Sequence, residues 1–321
     1  MKVYTHLSFE ERSKIALWYE EGLTEREIAE ELGRDKSTIY REISRNTDPE
    51  TDKYVALRAE HSYKRRIKKP QGRIRDKETK LYVREKMLTG WSPERISGRI
   101  QIDKPGKSVS HETVYMYTYK ESPELRKCLP RHHMKRHLRW QRKTHRKSHI
   151  PNRVLIDFRP KEINSRKEPG HWESDVMMGL KEKNSGVTFA VERKTRFTRT
   201  RKLNDVNATL NRKNITTMLK GLHRKLRQSI TYDNGKENTE HEQINAVVGC
   251  KSYFCHAGKP YEKGSVENTI GLARRMFPKR TDFDNISSYK IQKMEDWLND
   301  LPRKCLGWKT PREVFNQLCC T

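Results

Sequence analysis

Near residue 166 the hydrophobic period of this chain changes, and that switch limits what the chain can fold into. Before it, apolar residues recur at helical spacing behind side-chain caps; after it, they fall in short β-rich runs at hairpin spacing. The sequence therefore reads as an all-α N-terminal region followed by a mixed sheet covered by helices. Composition agrees with a divided chain. Hydrophobic residues make up 33% of the 321 and charged residues 35%. That is too lean for one apolar core at this length, so two or three smaller domains are expected.

The first helical pair is announced by its caps. Ser8 and Glu11 form an S-x-x-E capping box, with Ile15 and Trp18 at helical spacing behind it. Thr24 and Glu27 form a second box, followed by Ile28, Leu32 and Gly33 as a C-cap. A third helix follows within a few residues, with Ser37 expected as its N-cap and Ile39 and Ile43 as its buried stripe. Helix, tight turn, helix is helix-turn-helix grammar. Lys36, Thr38, Tyr40, Arg41 and Arg45, with Ser37 at the start, form a face suited to base edges and phosphates. A helical bundle with a charged face would carry the same pattern.

A second pair is expected where Ser92 caps, Pro93 takes the first helical position, and Ile96 and Ile100 form the stripe. After a turn with Pro105 and Gly106, Ser110 caps HETVYMYTY. Val114 and Tyr117 should face inward, and His111, Glu112, Thr113, Tyr115 and Met116 outward. This pair reads either as a second helix-turn-helix, with His111, Thr113 and Tyr115 toward DNA, or as packing that only spaces the domains.

Charge says what the partner is. The formal charge is +27, split into +14 for residues 1–150 and +13 for residues 151–321. A double-stranded nucleic acid is the leading partner, because each neutralised phosphate releases a counterion. Two acid-free runs, Lys64–Arg75 and Arg131–Lys147, read as DNA-tracking linkers, although such blocks are also ordinary solvated linkers. An acidic membrane surface is the rival, but no apolar stretch approaches 18 residues, and MKVYTHLSFEERSK is no signal peptide. Six Cys are too sparse for a disulfide scaffold, so a reducing cytoplasm is expected. Cys250, Cys255 and His256 have poor spacing for a metal site and read as incidental.

In the second half, HWESDVMMG (171–179), GVTFAVERKT (186–195) and RFTRTRKL (196–203) read as three antiparallel strands. A helix is expected near 207–227, strands at QSITYDNG (228–235) and KSYFCH (251–256), and a helix at GSVENTIGLARRMF (264–277). Three carboxylates stand out by position. Asp175 is mid-strand in a half-apolar run, Asp233 ends a strand before an Asn-Gly turn, and Glu267 opens a helix. Spacers of 57 and 33 residues separate them. Two strand carboxylates and one helix carboxylate at one sheet end would hold Mg²⁺, or Mn²⁺ in its place, through hard oxygen ligands. Lys259 and Lys263 lie beside Glu267 as candidate phosphate contacts. Glu173, Asp157, Glu237 and Glu262 are acids outside the triad, either bystanders or supports. His171 and Trp172 read as structural support, and GWKTP (307–311) as tail packing.

These strings together resemble the insertion sequence thirty (IS30) family of bacterial transposases. The resemblance rests on DNGKEN with PYEKGSVENTIGLARRMFPKRTDF, and on LSFEERSKIALWYEEGLTEREIAEELGRDKSTIYREISRN. WSPERISGRI with SHETVYMYTY, PGHWESDVMMG, VERKTRF and LGWKTPREVF extend it from about Thr5 to Phe315. Some members carry Arg where this chain has Asn234, and HWES replaces the commoner HWEG. The resemblance implies a ribonuclease-H-like, retroviral-integrase-type catalytic domain with Asp175, Asp233 and Glu267 as its DDE triad. It also implies recognition of terminal inverted repeats by the N-terminal part. The expected domains are a helix-turn-helix at 1–62, a second at 63–125, a basic linker at 126–165 and the catalytic domain at 166–321. The expected chemistry is two-Mg²⁺ phosphoryl transfer, with water and then a freed 3′-hydroxyl as nucleophile. The expected partners are the element ends, target DNA and further copies of the chain, in a bacterial, nucleoid-associated setting. A non-catalytic DNA-binding regulator and a nuclease without strand transfer remain the alternatives.

Overall fold

The computed structural model describes residues 5–67, 74–130 and 150–319. The basic run at 131–147 and half of the one at 64–75 lie outside these residues. The chain divides into two compact units, Met1–Arg73 and Ile74–Thr321.

The first unit is helical: α1 (Phe9–Glu20), α2 (Glu25–Leu32), α3 (Lys36–Asn46) and α4 (Ala56–Ile67). Both capping boxes form. Ser8 Oγ accepts from the Glu11 amide at 3.1 Å while Glu11 accepts from the Ser8 amide at 2.7 Å, and Thr24 and Glu27 repeat the exchange. Gly33 closes α2 at φ +60°, a conformation that favours glycine. The cap of α3 differs from expectation. Asp35 takes that place, its carboxylate accepting from the Ser37 amide at 2.8 Å. A carboxylate there also meets the positive end of the helix dipole. Ile15, Ile28, Ile39 and Ile43 form the core with Leu7, Ala29, Tyr54 and Ala59.

Through that core runs Arg12, 2% exposed. It donates to Glu42 at 2.8 Å, to Glu60 at 2.9 Å and to the Leu7 carbonyl at 2.6 Å. One guanidinium thus ties α1 to α3 and α4. Helix α4 runs through the expected boundary at residue 62 and ends at Ile67.

The second unit begins with α5 (Lys77–Leu88), α6 (Pro93–Asp103) and α7 (His111–Lys120). Ser92 and Ser110 cap as expected, and Val114 and Tyr117 are buried. These helices share a core with Leu301, and Leu272 and Trp297 pack against it, so they belong with the part that carries the sheet. Gly98 sits against Trp308: a Cβ there would meet the indole at 2.0 Å. The GWKTP motif is therefore tail packing against α6. The segment expected as a linker is partly built in. Leu129 joins the helical core, Ile150 joins the core under the sheet, and the buried Arg159 donates to Thr231 at 2.9 Å.

The sheet has five strands: β1 (His171–Met178), β2 (Gly186–Glu192), β3 (Thr198–Leu203), β4 (Ser229–Tyr232) and β5 (Lys251–Phe254). Their order is β3-β2-β1-β4-β5, antiparallel from β1 to β3 and parallel from β1 to β5. This is the mixed sheet, three antiparallel strands extended by parallel ones, that the sequence led one to expect. One face packs on α8 (Ala208–Leu219) and α9 (His241–Val248), through Trp172, Ile230 and Phe254 against Ile215, Leu219 and Ile244. The other packs on α10 (Gly264–Ala273) and α11 (Ser288–Asn299), through Met177, Val187 and Phe189 against Val266, Ile291 and Leu298. The last helix is α12 (Pro311–Cys319), whose Phe315 stacks on Phe197. Helix α8 is shorter than the expected 207–227. It ends at Leu219, before Lys220-Gly221, and Leu226 reaches the same core from a 3₁₀ turn.

Candidate functional site

The site is a consequence of strand register. In the parallel β1–β4 ladder His171 pairs with Ser229 and Glu173 with Thr231. Two residues further on, the same register sets Asp175 beside Asp233. Side chains alternate along a strand, so Glu173, Asp175 and Met177 share the face that meets α10. Asp233 keeps its turn chemistry as well. Its Oδ1 accepts from Asn238 at 2.9 Å and from the Gly235 amide at 3.4 Å, leaving Oδ2 for the site.

Between the two aspartates stands Lys263. Its Nζ is 3.2 Å from Asp175 Oδ2, 3.6 Å from Asp233 Oδ2 and 3.3 Å from the Ser174 carbonyl. The sequence marks Lys263 as a candidate phosphate contact; here it is buried, and the aspartates hold it. Burial alone would lower its pKa, but the Asp175 and Asp233 charges outweigh burial and raise it. Asp175 is itself raised, by burial first and then by Asp233, against the pull of Lys263. Lys259 is exposed, as expected.

Glu267 lies exposed in the first turn of α10. Its pKa is raised by partial burial and by Asp175. What fixes this helix start is Glu173, a fully buried acid. Glu173 Oε2 accepts from the Ser265 and Val266 amides at 2.8 and 3.0 Å, while Oε1 takes Arg193 Nε at 3.0 Å. A strand carboxylate thus caps the helix that carries Glu267, two positions before Asp175. The short spacing from Glu173 to Asp175 was the available signal. Glu237 is a fourth acid of the site, raised by burial, by Asp233 and by Asp175. In the HWES string, buried Ser174 donates to the Phe189 carbonyl at 3.0 Å.

Among the described residues, no three His, Cys, Asp or Glu side chains stand close enough together to hold a metal ion as they are arranged. The donor chemistry nevertheless fits a hard divalent cation: the carboxylates crowd one another, and two of them already converge on one cationic atom. Cys250 and Cys255 are buried thiols, each pushed by burial to about 12. His256 pairs with Asp157 and Glu262 instead, both at 2.9 Å.

On α3, Lys36, Ser37, Tyr40, Arg41 and Arg45 are exposed and Thr38 is half-buried, so the face expected to meet DNA is open. On α7, His111 is exposed, but Thr113 bonds to Ser110 Oγ at 2.8 Å. Tyr115 is half-buried, packs against the core and donates to Glu94 at 2.9 Å, so it faces inward more than expected. No helix among the described residues is long and apolar enough to cross a membrane.

Known proteins resemble this chain along nearly its whole length. A helix-turn-helix domain family matches residues 3–46. The transposase for insertion sequence element IS1086 of Cupriavidus metallidurans is 37% identical, over 98% of this chain and 95% of that one. The transposase InsI for insertion sequence element IS30C of Escherichia coli is 34% identical, over 98% and 85%. Among solved structures, the catalytic core domain of BIV integrase is similar at 17% identity and a TM-score of 0.36, over 46% of this chain and 95% of that one. With identity at this level along nearly its whole length, the chain belongs to the IS30 family of insertion-sequence transposases.

Proposed function

We propose that Asp175, Asp233 and Glu267 are the carboxylates of a Mg²⁺-dependent strand cleavage and strand transfer on DNA, with Mn²⁺ able to substitute. The observation that carries this reading is the β1–β4 register, which sets Asp175 beside Asp233 around one cationic atom. Two divalent ions, when bound, supply activation of the attacking oxygen and stabilisation of the leaving one. The chain's own residues do the rest. Asp175 offers carboxylate oxygens from the sheet and Asp233 from the turn that follows it. Glu173 and Arg193 anchor the helix start from which Glu267 approaches. Lys263 keeps the aspartates together and, once released from them, is placed to meet a phosphate oxygen. The first nucleophile is water at the element end; the freed 3′-hydroxyl is the second. The oxygen-only character of the site supports a path without a covalent enzyme intermediate.

On this reading α3 recognises the inverted repeats through Lys36, Ser37, Thr38, Tyr40, Arg41 and Arg45, with His111 of α7 and Lys259 as further contacts. Joining two ends to a target needs more than one active site, so a homo-oligomer assembles on the DNA, in the nucleoid of a bacterial cell. The test is incubation of the purified chain with end-containing DNA and Mg²⁺, with mapping of nicks and joints. Asp233→Asn is expected to lose both while retaining end binding. Wild-type cutting by that variant contradicts the assignment. End binding by the unmodified chain without any nick favours a regulator.

A further inference from the structure

Next to the carboxylates lies a pocket of about 320 Å³ with no acid in its lining. Arg166, Arg196 and Arg303 line it, with Ser265 and Asn268 from α10 and the exposed Cys305. Arg303 is 7% exposed, and its Nε has no hydrogen-bond partner among the described residues. Arg196 donates to Ser265 Oγ, and Arg303 to the Leu298 carbonyl at 3.3 Å. Among the described residues, none of the three arginines pairs with a carboxylate. They act on one another as like charges: burial and then Arg95 and Arg196 bring Arg303 down to about 10, and burial and then Arg196 lower Arg166. Gathering cations around the buried Arg303 with no carboxylate paired to them is costly, and an anion among them offsets that cost. Guanidiniums with free N–H groups suit the geometry of phosphate.

The position is informative. Ser265 and Asn268 stand within one helical turn of Glu267, about 5.4 Å along the axis. The pocket also continues, through Asn268, Arg303 and Cys305, into a groove of about 800 Å³ that reaches Arg95, Lys304 and Tyr119.

We propose that Arg166, Arg196 and Arg303 bind a backbone phosphate of DNA adjacent to the one being cut, and that the groove leads the same strand toward α6 and α7. The inference rests on the DNA-cleavage reading and adds a phosphate site distinct from the carboxylates. Cys305 reports on it without any cutting. In the full chain without metal, end-containing DNA is expected to protect Cys305 from alkylation, followed by peptide mass. Protection is expected to weaken roughly tenfold in Arg166→Ala, an exposed position, and in Arg196→Ala. With Mg²⁺, ends carrying one uncharged methylphosphonate linkage next to the cut should slow the unmodified chain and slow Arg166→Ala little further. Unchanged alkylation under saturating DNA, or losses that multiply at every linkage, overturns the proposal. A chain that cuts yet leaves Cys305 unprotected defeats only this site. One that protects Cys305 yet never cuts defeats the catalytic reading and leaves the pocket standing.

Discussion

The two helix pairs of this transposase hold a short second helix in place by different means. Helix α3 belongs to a unit with its own core, in which Arg12 ties three helices through Glu42 and Glu60. Helix α7 has no such independence. Its core is completed by Leu301, with Leu272 and Trp297 packed alongside, and its partner α6 is pinned by Trp308 against Gly98 and by Arg99 to Glu313 at 2.7 Å. The first arrangement leaves a polar face open. The second spends α7's aromatic residues on packing and makes the pair part of the catalytic unit. Similar local grammar thus leaves an open polar face in one place and a packed helix in the other.

Arg12→Ala should show the largest effect. It leaves Glu42 buried without its cation and Glu60 with only the exposed Lys64, at a cost of roughly 3–5 kcal/mol. Calorimetry or amide exchange should place that loss in residues 5–67 and spare the sheet; a loss spread over both units would break the distinction. Gly98→Ala should act on the other unit. Its Cβ overlaps the Trp308 ring, and overpacking of this kind costs about 1–3 kcal/mol. Thermal unfolding should place the loss in α5–α7 and the sheet together; if α5–α7 melts while the sheet is unchanged, the pair is a domain of its own. The smallest effects concern recognition. Arg41→Ala should cost about 1–3 kcal/mol and relax preference at one base pair, whereas His111→Ala should stay under about 1 kcal/mol and act on all sequences alike. Competition binding with single-base variants of the end decides this, and equal loss of preference in both would make α7 a reader too.

Sequence made some of this legible and hid the rest, for physical reasons. Caps act within three residues, so Ser8, Thr24, Ser92 and Ser110 announced their helices. Asp35 was displaced in favour of Ser37 because both residue types cap well and stand two apart. Helix α4 was not foreseen. Its sequence is polar on most sides, and what it contributes is Glu60, 48 residues from Arg12. The helices α5, α9, α11 and α12 were likewise unread. At the site, Asp175, Asp233 and Glu267 could be chosen from their places on strands and a helix. The contacts that arrange them are long-range: Glu173 caps a helix 92 residues away, and Lys263 returns to the Ser174 carbonyl across 89. Hydrophobic period and local caps carry no trace of such pairings.

The central claim is that Asp233 is a metal ligand in DNA cleavage, and a metal-preference switch tests it most directly. Asp233→Cys replaces a hard oxygen donor with a softer thiolate, which suits Mg²⁺ poorly and Mn²⁺ better. On the same end-containing DNA, the variant should lose roughly a thousandfold or more of its nicking rate with Mg²⁺, several kcal/mol of transition-state stabilisation. It should recover part of that rate with Mn²⁺. Undiminished nicking by Asp233→Cys in Mg²⁺ would contradict the account.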